Sequence, residues 1–418
     1  MDISKLKTIF QRFGFFREYS ALVIPLLLTI IAGLLFVPTI LMQSGLKAEI
    51  EDKSIKKLGD PIDRLAKTKP PSIKQSDVEK NYQNDLARDV NTIATLDEQT
   101  GRRELLSYNI FPDTSESSVQ IYTHFGERFR KGISNMMADL KARDCPTSAE
   151  LGRSSTPGAF SPVTTTSTTG EMDDKKKELI TDELCTDIAK SITVYINPDN
   201  IGGYSFWSNY KYQNKKDAIE DCWYWQVGYW IIEDIFKTVK KVNDDSGNVL
   251  DSPVKRIVSI SFQRSQSTQA GEVMPSMITA SKARPSYVKD LKGGLTIPWT
   301  ARTCNNQFDV VHFRISIIIS SRATGQFVQA LCSGKEHTFR GFDGKAEPVT
   351  YEHNQITVLN SSFEAVNQQQ EAHKLYRYGS DGVVTLDLTC EYIFNSKGYD
   401  AIKPKSVKDE LRIIKKTR

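Results

Sequence analysis

The sequence predicts an α+β protein with a single N-terminal transmembrane helix, a helical stalk and two helix-on-sheet modules. Three observations carry that reading. A charge-free apolar run, "ALVIPLLLTIIAGLLFVPTILM" (Ala21–Met42), lies near the N-terminus. Stripes of helical period come after it, and further on come runs in which apolar and polar residues alternate. The chain has 418 residues, long for one compact core, so more than one folded unit is expected.

Composition bounds the partners. Basic and acidic residues nearly balance, 55 against 51, and a net charge of +4 sets up no field that would recruit nucleic acid. Six cysteines are too few for a disulfide-built scaffold.

The N-terminal run is long enough for a bilayer core of about 30 Å at about 1.5 Å per residue. It exceeds a signal-peptide core and meets no small-residue cleavage site. Lys5, Lys7, Arg12 and Arg17 precede it, so the positive-inside rule holds residues 1–18 in the cytoplasm and exports the chain beyond the span at 19–43. "KLKTIFQRFGFF" sets Phe10, Phe13 and Phe16 among basic residues, a pattern for the inner leaflet or for a cytoplasmic partner.

Residues 44–112 read as a membrane-proximal stalk, helical or coiled-coil. Tyr82, Leu86, Val90, Ile93 and Leu96 recur at spacings of four and three, after a break at Pro70 and Pro71. A first module is expected over 118–263. Its opening helix carries Phe125, Phe129, Ile133 and the Met136–Met137 pair, which fill core gaps rather than mark a cofactor site. A Ser/Thr-rich insertion at 146–176 is too polar to order itself. "SITVYINP", an aromatic helix and "PVKRIVSISFQ" complete the module. A polar linker, 264–303, separates it from a second module at 304–396. There "FDVVHFRISIIISS" alternates Val311, Phe313, Ile315, Ile317 and Ile319 on one face. "RATGQFVQALCSGKEHTFRGF" reads as a helix, and two strands close the module. Helix and strand order in both units suits a ferredoxin-like α/β sandwich. A basic, solvent-facing tail, 397–418, ends the chain.

No constellation of catalytic type emerges. Of five histidines none lies in H-E-x-x-H or at ligand spacing from a cysteine, so no metal and no cofactor is expected. No phosphate loop or nucleophile elbow occurs. If the modules are exported to an oxidising space, Cys145 and Cys185 bracket the insertion and form a candidate disulfide. Cys332 and Cys390 fit a second bridge and a pair of buried thiols equally well.

The stretch "DCWYWQVGYWIIEDIF", 221–236, gathers Trp223, Tyr224, Trp225, Tyr229 and Trp230. A nucleic-acid platform would interleave Lys or Arg, and a membrane belt would adjoin the apolar run; this stretch does neither. At 100° per residue Tyr224, Trp225 and Tyr229 join the aliphatic face, while Trp223 and Trp230 project into the sector of Gln226, Glu233 and Asp234. Two readings fit these two tryptophans: packing under the 146–176 insertion, or an exposed candidate contact for a partner.

In architecture the chain resembles the PilO-like (GspM-like) inner-membrane assembly proteins of type IV pili and type II secretion systems, in an enlarged two-module form. The passages that carry the likeness are Ala21–Met42, the stalk, "GYWIIEDIFKTVKKVN…SPVKRIVSISF" and "FRISIIISSRATGQFVQALCSG…QITVLNSSFEAVN…VTLDLTCEYIFN". The resemblance implies a non-catalytic, single-pass scaffold of the inner membrane with its bulk in the periplasm. It would align the cytoplasmic motor platform with the outer-membrane pore. Implied partners are other inner-membrane pilus or secretion subunits, PilN-like, or a second copy in a homodimer, with no nucleic acid and no small-molecule substrate. The alternative is a membrane-anchored extracytoplasmic sensor or ligand-binding protein, which requires a pocket with convergent polar groups.

Overall fold

The structure, a computed structural model, describes residues 72–154, 174–263 and 284–416, together with 25, 28–34, 47 and 67. Most of the expected span, and residues 155–173 and 264–283 of the expected insertion and linker, lie outside the described residues. The chain divides into two units, Met1–Arg88 and Asp89–Arg418.

Helix α1 is Ile73–Thr100. Its start is written in "SIKQ": Ser72 Oγ accepts from the Gln75 amide and Gln75 Oε1 accepts from the Ser72 amide, a reciprocal capping box. No residue of α1 is buried, and Tyr82, Leu86, Val90, Ile93 and Leu96 stay exposed along it.

The next elements are α2 (Gln120–Asp139), β1 (Ala142–Arg143), α3 (Ser148–Ser154), α4 (Asp174–Ser191) and β2 (Val194–Ile196). They are followed by α5 (Tyr204–Ser208), α6 (Lys215–Val242) and β3 (Val254–Ser261). Then come β4 (Phe308–Ser320), α7 (Thr324–Leu331), β5 (Lys335–Phe339), β6 (Val349–His353) and β7 (Ile356–Ala365). The last are β8 (Val383–Asn395), α8 (Ser396–Tyr399) and α9 (Lys405–Lys416).

Helix α6 is the centre of the second unit. Asn214 caps its start by accepting from the Asp217 amide at 2.9 Å. At its end the buried Asn243 exchanges two hydrogen bonds, 2.9 Å each, with the backbone of Val254, which ties the helix to the first residue of β3. Gly203, with φ 90, enters α5 between Phe129 and Trp225; a Cβ there would lie 2.7 Å from both rings.

Six strands form one mixed sheet in the order β1-β2-β3-β4-β8-β7. The first three pair in parallel and the rest antiparallel. The alternation expected in β4 is the alternation found: Val311, Phe313, Ile315, Ile317 and Ile319 share an apolar core with Leu386, Leu388, Cys390 and Tyr392 of β8 and with α2, α6 and α7. A second, smaller cluster on the opposite face joins Ile188 of α4 and Ile192, just past its end, to Ile318 and Val383.

This corrects the expected fold class. The two ferredoxin-like modules are not separate: β3 of one pairs with β4 of the other, and one core runs through both. Left apart, each strand would present an open hydrogen-bonding edge, which pairing removes. Nor, among the described residues, is any helix long and apolar enough to cross a membrane.

Three local readings change too. The expected helix from Arg322 stops at Leu331, because Gly334 opens a β5–β6 hairpin paired from Lys335 with His353 to Phe339 with Val349. The stalk ends at Thr100, and residues 101–112 become a strap with Arg103, Leu105, Ile110 and Phe111 buried. The tail is not solvent-facing up to Leu411, since Tyr399, Ile402, Lys403 and Val407 are buried. Its apolar residues are spaced among lysines, so composition hides the packing face.

Candidate functional site

Trp223 and Trp230 form no exposed contact, and no described part of the 146–176 insertion covers them. They are 0% and 1% exposed. The Trp223 indole donates to the Tyr287 hydroxyl at 3.0 Å and lies against Phe111 and Tyr399. Trp230 donates to the Glu104 carbonyl at 2.8 Å and packs on Phe394. The cover comes from the strap and the C-terminal segment. The polar sector of α6 is buried because the strap supplies its partners. The Leu106 amide donates to Gln226 at 2.8 Å, and Arg103 reaches Glu233 at 2.7 Å.

The candidate Cys145–Cys185 disulfide is corrected as well: both thiols are free, as are those of Cys222, Cys304, Cys332 and Cys390. The chain before the insertion is instead held by backbone pairing to β2 and by a polar contact. Ala142 and Arg143 pair with Val194 and Tyr195, and the Tyr376 hydroxyl donates to Asp144 at 2.8 Å. Burial pushes both thiols up from their ordinary range.

A buried polar cluster underlies the strap. Arg103 donates to Asp234 Oδ2 at 2.9 Å, Asp234 Oδ1 at 3.1 Å and the Tyr392 hydroxyl at 2.7 Å; that hydroxyl donates to Asp234 at 2.7 Å. His353 Nε2 stands 3.3 Å from Asp234 Oδ2, within reach of its charge but off hydrogen-bond geometry. Burial works to raise the Asp234 carboxyl, yet the Arg103 guanidinium and His353 hold it well below the usual carboxylate range. His337 meets His353 edge-on, and burial, with the Arg103 charge next, pushes it down to about 3. Both imidazole nitrogens of His337 are enclosed with no hydrogen-bond partner among the described residues. Residue spacing carries no sign of this cluster, because its members come from the strap, α6, a hairpin and β8. Among the described residues no group of three or more His, Cys, Asp or Glu side chains could hold a metal.

The exposed tryptophan lies elsewhere. Trp207, Trp225 and the pair above are buried, whereas Trp299 is 95% exposed and Ile297 74%. Their loop is pinned at its base. Val288 donates to the Val310 carbonyl and accepts from the Cys304 amide, 2.8 Å each, along the stretch of β4 that β3 leaves unpaired. Asp290 Oδ1 accepts from the amides of Lys292 and Gly293. The Leu295 amide donates to His312 Nδ1 at 3.0 Å. Thr300 donates to the buried Glu391 at 3.1 Å, and Arg302 lies 3.0 Å from its other oxygen. Ala301 takes φ 48, the left-handed region, where its amide donates to the Pro298 carbonyl. An indole presented on an immobilised turn loses little freedom when it enters a partner's pocket, which favours a contact role. Trp299 falls within the expected polar linker, and Ile-Pro-Trp in polar text is the one signal that marks it there.

Fold and surface together define an α+β protein with one mixed six-stranded sheet, a central aromatic helix and a pinned hydrophobic turn. Comparison with protein-family models, with curated proteins and with solved structures gave no match.

Proposed function

We propose that this chain is a non-catalytic scaffold that binds other subunits of an envelope assembly at the cytoplasmic membrane, of the type IV pilus or type II secretion kind. The observation that carries a protein-binding role is the turn Ile297–Pro298–Trp299, which holds a fully presented indole on a fixed base. The exposed apolar stripe of α1 adds a second surface of the same kind. Membrane attachment rests on the sequence of 21–42, and the particular machine on the resemblance in architecture.

Affinity purification of the full chain from detergent-solubilised membranes tests the proposal. Inner-membrane pilus or secretion subunits are expected in the eluate, and Trp299→Ala should lower their recovery while leaving the thermal midpoint in place. Recovery of no such subunit, or recovery that Trp299→Ala does not change, would remove the reading.

A further inference from the structure

On the face of the sheet turned away from α6, the strand registers align two rows of polar side chains. The first runs Ser261, Arg314, Thr389, Asn360 across β3, β4, β8 and β7. The second, two residues along each strand, runs Ser259, Ser316, Asp387, Ser362. All eight line a groove of 310 Å3. Its two walls come from different parts of the chain. On one side the next row contains Ile318, clustered with Ile188 of α4 and with Ile192 just past its end. On the other side is the row of His312 and Glu391, roofed by Leu295, Thr300 and Arg302. The result is a polar trough two rows wide, built on rigid strands.

The charges in this trough are set apart. Arg314 and Asp387 are diagonal neighbours on adjacent strands, a Cα spacing of roughly 7–8 Å. They do not close into an ion pair, and Arg314 Nε is buried without a partner among the described residues. A half-buried guanidinium left with no carboxylate is unfavourable unless something else supplies one. Five hydroxyls and one amide surround the two charges, and Ile315 and Leu388, whose positions belong to the core-facing register, are the apolar residues that also line the groove.

We propose that this trough binds a small zwitterion of the α-amino-acid type. Arg314 takes the ligand carboxylate through its fork, Asp387 takes the ammonium, and Ser259, Ser316, Ser362 and Thr389 bond a polar side chain. A simple anion would leave Asp387 opposed to it, and a simple cation would leave Arg314 so. The hydroxyl floor selects polar amino acids over aliphatic ones. This goes beyond the scaffold role and does not rest on it.

Calorimetric titration of the full chain in detergent with L-asparagine, L-serine, L-leucine, acetate, methylammonium and inorganic phosphate tests it. L-Asparagine or L-serine should saturate one site at least tenfold more tightly than L-leucine, acetate or methylammonium. Arg314→Met and Asp387→Asn should each weaken that binding at least tenfold. Ser362→Trp, at an exposed position, fills the trough and should abolish it without unfolding the chain. Trp299→Ala should leave the titration unchanged, which separates this site from the subunit contact. No saturable binding of either polar amino acid, acetate or phosphate binding as tightly as L-asparagine, or binding that survives Ser362→Trp overturns the proposal.

Discussion

Arg103 grips Asp234 through both carboxylate oxygens, at 2.9 and 3.1 Å, although 131 residues separate them in sequence. Their side chains are 2% and 0% exposed, so neither charge has solvent to fall back on. Arg103→Ala would leave Asp234 buried beside Tyr392 with no guanidinium, and breaking a buried pair from one side costs roughly 3–5 kcal/mol. The expected outcome is a drop of that order in unfolding free energy by urea titration. Replacing both residues by apolar ones of similar volume should recover much of the loss, and a double-mutant cycle would show it.

Burial holds three histidines below their ordinary range, His312, His337 and His373, and the two largest shifts dominate the pH dependence. His337 goes from an ordinary 6.5 to about 3 and His312 to about 4, in both cases chiefly by burial. Folded-state values below the unfolded ones mean that the unfolded chain binds more protons between pH 6.5 and 4. Stability is therefore fully present above 6.5 and falls as the pH is lowered through that window, by at most about 1.4 kcal/mol per pH unit per histidine. Asp234 adds nothing there, since its carboxyl is held below the usual range and titrates only in stronger acid. The urea midpoint should fall between pH 6.5 and 4, and His337→Gln should flatten that slope by about half.

Strands with strict alternation are legible in the sequence. Val311 to Ile319 and Leu386 to Phe394 fall on the core face as their period of two requires. The pairing of β3 with β4 is not legible, because edge strands of separate modules and neighbours in one sheet share the same pattern. Trp223 and Trp230 escape a correct placement for a related reason. A helical wheel shows which sector is polar but not that a distant strap, with Arg103 and the Leu106 amide, will bury it. The trough is invisible to motif search, since its two rows exist only once four strands are in register.

Trp230 and Trp299 should respond in opposite ways to the same change. Trp230→Ala removes a fully buried ring and leaves the Glu104 carbonyl without its donor, a loss of about 3–5 kcal/mol for a large aromatic in a core. Trp299→Ala touches a ring that packs on almost nothing in its own chain, so stability should stay within about 0.5 kcal/mol. Thermal melts of the two variants side by side decide this. Equal losses would mean that Trp299 packs against its own chain in solution.

The C-terminal segment should behave as core rather than tail. Lys403 and the Tyr399 hydroxyl both donate to Asp309, which is 1% exposed, while the Tyr399 ring stacks on Trp223 and meets Trp230 edge-on. Ending the chain at Asn395 would take away the only cation among the described residues that pairs with Asp309, and would open both indoles to water. An unpaired buried carboxylate and the lost apolar cover act in the same direction. The truncated chain should show red-shifted tryptophan emission, bind a hydrophobic dye and melt without a sharp transition. A truncation that keeps the emission maximum and melting midpoint of the full chain would show that α8 and α9 do not cover the aromatic core in solution.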